Sequence, residues 1–190
     1  ATGAISLAGT TFQFDQAGTA LSLSQTAGSS TFDGLLSTSG AAGINLAGAT
    51  FTFNAGVTTT GAGAFTVVNT GLLTIANTAF NLDGLFDKTG AGGTSLGAGI
   101  TTSGDAVSFG GGTTTLATGV AINTGAGPGD VTFTSALTGG QTLSITAGTG
   151  AVAFNAQVGA APLTSLTVVS SGSVASLSTI DTSGLVSFNS

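Results

Sequence analysis

Seven of the twenty amino acids are absent from this chain: histidine, cysteine, tyrosine, tryptophan, methionine, arginine and glutamate. Their absence removes the imidazole and thiolate groups that enzymes use at neutral pH, and the guanidinium group that binds phosphates and carboxylates. Charged residues make up only 4% of the 190 residues, as seven aspartates and a single lysine, Lys88. This composition can build a scaffold but offers few groups for catalysis.

The shortage of positive charge also disfavours two classes of partner. The net charge is −6, and one cation cannot neutralise the phosphates of a nucleic acid or of anionic lipids. No apolar run approaches the roughly 18–20 residues that a membrane-spanning helix requires. We therefore expect neither nucleic-acid binding nor membrane insertion.

Disorder is an alternative for a chain so rich in glycine, serine and threonine. Leu, Ile, Val and Phe nevertheless number 49 of 190 residues, above the roughly 20% typical of disordered chains. Only two prolines are present, which also argues against a flexible linker. A folded protein is therefore expected.

Internal repeats are visible at two intervals in the first half of the chain. Residues 5–14 recur as residues 44–53 with seven of ten positions identical, at an offset of 39. Residues 32–36 (Phe-Asp-Gly-Leu-Leu) return as residues 82–86 (Leu-Asp-Gly-Leu-Phe), at an offset of 50. Because the second offset is longer than the first, we predict an insertion near residues 56–67.

The second half repeats at a shorter interval. Val107, Val131, Val152 and Val174 occupy equivalent places in four similar motifs, at nearly equal intervals along the chain. These intervals indicate a basic period of about 22 residues. The unit that repeats at an offset of 39 residues is therefore expected to contain two shorter coils.

Within each repeat, apolar and polar residues alternate over three to five positions, as in Phe51-Thr52-Phe53. This alternation predicts short strands with one buried face. Glycine-rich joints at residues 61–63, 110–112 and 125–129 predict turns. Seven of the 12 phenylalanines are followed directly by Asn or Asp, which predicts either ordinary strand-end turns or stacked side-chain ladders at a corner.

We predict an all-β fold, a right-handed parallel β-solenoid (β-helix) with coils of about 20–24 residues, because coils that cannot bury an apolar face alone are stabilised by stacking. Residues 1–190 are expected to form a single solenoid segment of a larger repetitive protein, with two longer repeat units in residues 1–93 and about four shorter coils in residues 94–190. An antiparallel sandwich or up-and-down barrel is the alternative fold. The predicted core residues are Phe51, Phe53, Phe109, Val131, Phe133, Leu143, Ile145, Val152, Phe154 and Leu166.

Several repeats resemble those of very large bacterial surface proteins. The segments that carry the resemblance are residues 101–109, 121–127, 130–133, 143–150 and 163–168. They are similar to repeats of filamentous-haemagglutinin-like and autotransporter-like adhesins, most clearly over residues 82–172. The resemblance implies a right-handed parallel β-helix and an extracellular rod that spaces, adheres or forms fibres, and it implies no catalytic residues.

Candidate reactive groups are few and scattered. General acid–base chemistry would have to use the aspartates, which mostly follow Phe or adjoin Gly as turn residues do: Asp15, Asp33, Asp83, Asp87, Asp105, Asp130 and Asp181. Asp83, Asp87 and Lys88 are the one local charge cluster, which we interpret as a solvated loop. Nucleophilic catalysis by a serine with Lys88 lacks a specified base or orienting partner. We predict no catalytic, cofactor-binding or metal-binding residues, and no cofactor.

Two binding activities known for β-solenoids are also disfavoured. The calcium-binding β-roll repeat needs an aspartate after its glycines, and residues 90–94 have the glycines without it. Ice binding would need a threonine triplet in nearly every coil, whereas triplets occur only at residues 58–60 and 113–115. Threonine as a good strand former explains these triplets.

The sequence thus favours a non-enzymatic extracellular structural or adhesive repeat protein that forms a rod or fibre at the bacterial surface. Self-association end to end, or continuation into further repeats, is the expected partner relationship, since both ends of the chain have ordinary strand patterns. The alternative is a binding module whose exposed sheet face or loop docks a surface glycan or host protein.

Overall fold

The computed structural model of the protein describes residues 3–189 and contains 27 strands and no helix in that range. The strands form three parallel sheets of nine strands each, and the chain visits the three sheets in turn. The prediction of an all-β parallel solenoid is confirmed, and the alternative of an antiparallel sandwich or barrel is excluded. Three strands, one from each sheet, make one coil, so the described residues form nine coils.

In chain order the strands are β1 (Ile5–Leu7), β2 (Thr11–Phe14), β3 (Gly18–Ala20), β4 (Leu23–Gln25), β5 (Ser29–Phe32), β6 (Leu36–Thr38), β7 (Ile44–Gly48), β8 (Phe51–Phe53), β9 (Val57–Thr59), β10 (Phe65–Asn69), β11 (Leu73–Ile75), β12 (Phe80–Leu82), β13 (Phe86–Thr89), β14 (Thr94–Leu96), β15 (Ile100–Thr102), β16 (Val107–Phe109), β17 (Thr114–Leu116), β18 (Val120–Asn123), β19 (Val131–Phe133), β20 (Leu137–Thr138), β21 (Thr142–Thr146), β22 (Ala151–Phe154), β23 (Val158–Leu163), β24 (Ser165–Ser170), β25 (Ser173–Ser176), β26 (Ile180–Thr182) and β27 (Val186–Phe188). Sheet A begins with β1, sheet B with β2 and sheet C with β3, and each then takes every third strand.

The register of sheet A gives the length of each coil. The partners in successive strands are Ile5, Leu23, Ile44, Phe65, Phe86, Val107, Val131, Val152 and Val174. The step from Ile5 to Leu23 is the shortest and the step from Val107 to Val131 is the longest, while the others are nearly equal. The 39-residue sequence repeat is therefore two coils, the first of them short. The longest step contains the glycine-rich corner at residues 125–129, where Gly125 has a φ of +78°.

The predicted insertion near residues 56–67 is wrong. This segment contains β9 and the start of β10, and Phe65 pairs with Ile44 in ordinary register. Residues 32–36 span the corner from sheet B to sheet C, whereas residues 82–86 span the corner from sheet C to sheet A. The 50-residue offset is therefore two coils plus one side, because similar corner sequences serve different corners of the same coil.

Inward-facing side chains form one continuous apolar core along the solenoid. All the core residues predicted from the sequence are at most 1% exposed and belong to this core. Like residues stack on like, as the alternation predicts: Phe109, Phe133 and Phe154 are register partners in sheet A, and Leu143 pairs with Leu166 in sheet C.

Phenylalanine rings form a connected network through the core. The rings of Phe14, Phe32 and Phe53 stack beneath sheet B, with centroids 4.7 and 4.5 Å apart. Phe53 then makes edge contacts with Phe80 of sheet C at 5.2 Å and with Phe65 at 5.4 Å, and the second contact carries the network across to sheet A. From there it continues through Phe86, Phe109, Phe133 and Phe154, at centroid distances of 5.0–5.6 Å. Stacked and edge-on aromatic pairs contribute stabilisation beyond the area they bury.

A charge placed in this stack should destabilise the solenoid strongly. We expect Phe133→Asp to lower the free energy of unfolding by several kcal/mol, because it removes a buried ring and leaves an unpaired carboxylate in the core. Thr132→Asp is the matched control, since Thr132 is the neighbouring outward-facing residue of β19, and it should change stability by about 0.5 kcal/mol or less. Chemical denaturation of both variants measures the difference. Equal stability of the two variants would contradict the assignment of Phe133 to the core.

Candidate functional site

Lys88, the only cation of the protein, lies inside the solenoid. It follows Phe86 and Asp87 in β13, so the alternation of the strand turns Phe86 and Lys88 inward and Asp87 outward. The lysine is 0% exposed and pairs in register with Val67 and Phe109, two core residues. The interpretation of residues 83–88 as a solvated charge cluster is therefore wrong for Lys88.

Backbone carbonyls at the corner between sheets A and B hold the buried amine. The Lys88 Nζ donates to the carbonyl oxygens of Gly110 at 2.8 Å and of Gly90 at 3.4 Å, and also to that of Gly92. Gly90 has a φ of +87°, a left-handed conformation that favours glycine. Its carbonyl oxygen faces the Lys88 amine. Burial lowers the pKa of Lys88 from its ordinary value of 10.5.

This geometry makes Lys88 a structural residue of the corner. Its hydrogen-bond partners are carbonyl oxygens, and none is a serine hydroxyl that it could activate. Two other buried polar side chains bond the same corner in earlier coils. Gln25 donates to the carbonyl oxygen of Ala27 at 2.8 Å, and Asn69 donates to that of Gly71 at 2.6 Å. Each bonds the carbonyl two residues further on, as Lys88 does with Gly90.

Four aspartates accept hydrogen bonds at the corners between strands: Asp33, Asp83, Asp105 and Asp130. Asp83 accepts a hydrogen bond from the Ala62 amide at 2.9 Å, and Asp130 accepts one from the Ala151 amide at 2.7 Å. Asp105 accepts from the Ser103 hydroxyl at 3.1 Å. These three aspartates lie at the sheet C to sheet A corner of successive coils. They stand at different distances from the start of the next sheet A strand, so their carboxylates do not form a column.

One short side-chain ladder does form, at the corner from sheet B to sheet C. Asp33 accepts from the Gln13 amide at 2.5 Å and from the Asn54 amide at 2.7 Å, which links three successive coils. Asp33 and Asn54 each follow a phenylalanine, and those two phenylalanines are register partners. Of the two interpretations of the Phe-Asn/Asp pattern, the ladder holds here. Asn81 and Asp87, which also follow phenylalanine, lie in the middle of strands.

No group of three or more metal-ligating side chains is gathered anywhere in residues 3–189. The described part of the chain also has no helix that is long and apolar enough to cross a membrane. Two neighbouring shallow depressions of about 390 and 180 Å³ lie on the outer face of sheet C. They are lined mainly by threonine, serine and asparagine side chains.

Comparison with protein-family models, with curated proteins and with solved structures found no match for this chain.

The buried amine predicts an unusual dependence of stability on pH. Since the pKa of Lys88 is lowered in the folded state, the unfolded chain binds more protons between that pKa and 10.5. The free energy of unfolding should therefore rise with pH through this range and level off above it. In Lys88→Met, which keeps an unbranched side chain of similar length, this rise should be absent.

Urea denaturation of both proteins between pH 7 and 11 tests this. The sequence has no histidine, cysteine or tyrosine, so apart from a chain-terminal amine no other group titrates there, and both proteins share that amine. Identical pH profiles for the two proteins would show that Lys88 is not desolvated.

Removal of divalent metals should leave the fold unaffected. The described residues contain no cluster of three or more metal-ligating side chains, so EDTA should not change the melting temperature. Differential scanning calorimetry with and without EDTA measures the melting temperature. A fall of about ten degrees that calcium reverses would reveal a metal bound to the folded state.

Proposed function

We propose that this chain is a structural segment of a non-enzymatic extracellular rod or fibre at a bacterial surface. The observation that carries the proposal is the stacking of nine coils around one continuous apolar core, an arrangement to which further coils can be added at either end. The extracellular and bacterial parts of the proposal are supported by the resemblance to adhesin repeats in residues 82–172.

Each end face consists of three unpaired strand edges. At one end these are β1, β2 and β3, and at the other end β25, β26 and β27. Their inward side chains lack a neighbouring coil on one side, so Val186 and Phe188 are each 42% exposed although their register partners Leu166 and Val168 are fully buried. Open edges with apolar inward rows favour the addition of further strands.

The two end faces are complementary in chemistry and in size. If the register of each sheet continues from the last coil to the first, Val174 lies over Ile5 in sheet A and Ile180 lies over Phe12 in sheet B. In sheet C, Phe188 lies over Gly18, so a large side chain meets a residue without one. Further coils of the same chain or a second copy can therefore cover each end.

The side faces support the same proposal. The outward row of sheet A consists of small side chains along its whole length: Ser6, Ser24, Asn45, Thr66, Asp87, Ser108, Thr132, Ala153 and Ala175. Such a face is nearly neutral, hydrated and without large apolar patches. The contrast between this row of sheet A and the apolar inward rows at the ends favours association along the axis. A binding role is the second candidate, and the concave outer face of sheet C favours it.

Purified residues 1–190 should form rods that lengthen with concentration. Light scattering and electron microscopy measure this. Phe188→Lys should keep the fold and stop the lengthening, because it places a charge in the end face where no partner compensates it. Ser187→Lys is the matched control, since Ser187 pairs with the outward-facing Thr167 of β24, and it should assemble like the parent.

A parent protein that stays monomeric at high micromolar concentration would contradict assembly between copies. Equal inhibition by the two lysine substitutions would show that added charge, and not the end face, governs association.

A further inference from the structure

The only peptide bond that a lysine- or arginine-specific protease can recognise lies inside the solenoid. The sequence has one lysine and no arginine, so the bond between Lys88 and Thr89 is the single site for such enzymes. These proteases bind the basic side chain in a specificity pocket before they cut the bond that follows it. The Lys88 side chain is fully buried, so it cannot enter that pocket while the solenoid is folded.

The position of Lys88 along the solenoid strengthens this protection. Lys88 belongs to β13, the sheet A strand of the fifth of nine coils, and β13 is paired with β10 on one side and with β16 on the other. Local opening of a folded protein begins at its weakly packed ends and loops. Opening of the outer coils therefore leaves both neighbours of β13 in place, and Lys88 stays buried.

The next coil covers the lysine amine closely. The Lys88 Nζ donates to the carbonyl oxygen of Gly110 in that coil at 2.8 Å. A Cβ atom added to Gly111 would lie 3.2 Å from the Lys88 Nζ and 1.5 Å from the carbonyl oxygen of Gly90. The glycine corners of the fifth and sixth coils thus touch directly around the amine. Release of the lysine side chain requires these two coils to separate at the corner.

Proteases with other specificities find suitable side chains on the surface. Leu177 lies at the corner from sheet A to sheet B in the ninth coil and is 76% exposed. Chymotrypsin-like enzymes that accept leucine can bind this side chain, and exposed corners are the usual sites of proteolytic cleavage. The protection that burial of Lys88 gives is therefore specific to enzymes that require lysine or arginine.

We infer that the folded solenoid resists lysine- and arginine-specific proteases, and that its single cleavable bond becomes accessible only when the middle of the solenoid unfolds. This resistance depends on composition and on the burial of Lys88, so it applies to a structural rod and to a binding module alike. For a protein outside the cell it removes one class of protease as a threat to the folded chain, while unfolded copies stay cleavable.

The test treats the whole chain with trypsin over a series of urea concentrations, at a protein concentration where light scattering shows single copies. Mass spectrometry of the fragments should show one cut, which separates residues 1–88 from residues 89–190. In native buffer the cut should be at least about a thousandfold slower than in the urea-unfolded chain. As urea is raised, the cleavage rate should follow the unfolded fraction that circular dichroism measures.

The matched control is Ala91→Lys, which places an exposed lysine at the corner from sheet A to sheet B in the same coil as Lys88. Trypsin should cut this variant first after position 91, in native buffer and without urea. Equal melting temperatures of parent and variant would show that the new cut does not come from a folding defect. Chymotrypsin provides a second control, because it should cut the folded parent after Leu177.

The inference is overturned if trypsin cuts the folded parent as fast as it cuts Ala91→Lys. A slow cut after Lys88 whose rate does not change with urea below the unfolding transition would also overturn it, since local opening of the corner would then release the lysine. If Ala91→Lys resists trypsin as well as the parent does, rigidity of the corner protects the chain, and burial of Lys88 is not the cause.

Discussion

The backbone hydrogen-bond ladder between successive coils is the constraint on which this structure depends. Parallel pairing fixes the distance between coils at about 4.8 Å, so every side chain has one neighbour above and one below at that distance. Inward positions must then be filled by residues that stack well at this spacing, as the Phe109, Phe133 and Phe154 rings do. Because one coil cannot bury its apolar face alone, stability comes from the interfaces between coils, and the two ends are the weak points.

The same ladder explains most of what could be predicted from the sequence. Alternation identified the inward residues of Val131–Phe133 and Ala151–Phe154 without knowledge of the corners, because two-residue periodicity is a property of a strand alone. Coil length was also predictable where coils have equal length. The prediction of coil length was wrong at the Asp-Gly-Leu motif. The corner from sheet B to sheet C and the corner from sheet C to sheet A have similar sequences there, so the pattern alone does not distinguish them. The short first step of sheet A and its long step from Val107 to Val131 show that corners absorb insertions while strands keep their register.

The expectation that Lys88 is solvated is wrong for a different reason. A lone cation beside two aspartates is usually solvated, but the alternation of the strand places this one inside. Phe86-Asp87-Lys88 pairs in register with Phe65-Thr66-Val67 and repeats its alternation, which places Lys88 in the core column. Its three carbonyl partners could not be predicted, because they come from glycine corners in two different coils.

The scarcity of charge also follows from stacking. A charged residue repeated in an outward row would lie about 4.8 Å from its own kind in each neighbouring coil, a repulsion of about 0.9 kcal/mol per pair even in water. Hydroxyl side chains avoid this cost, keep the surface hydrated and suit the strand conformation. Asp87 accordingly has Thr66 and Ser108 as its register partners, and Asp33 is held by amide donors from the coils on either side. The composition that disfavours catalysis is thus the one that lets an outward row repeat from coil to coil.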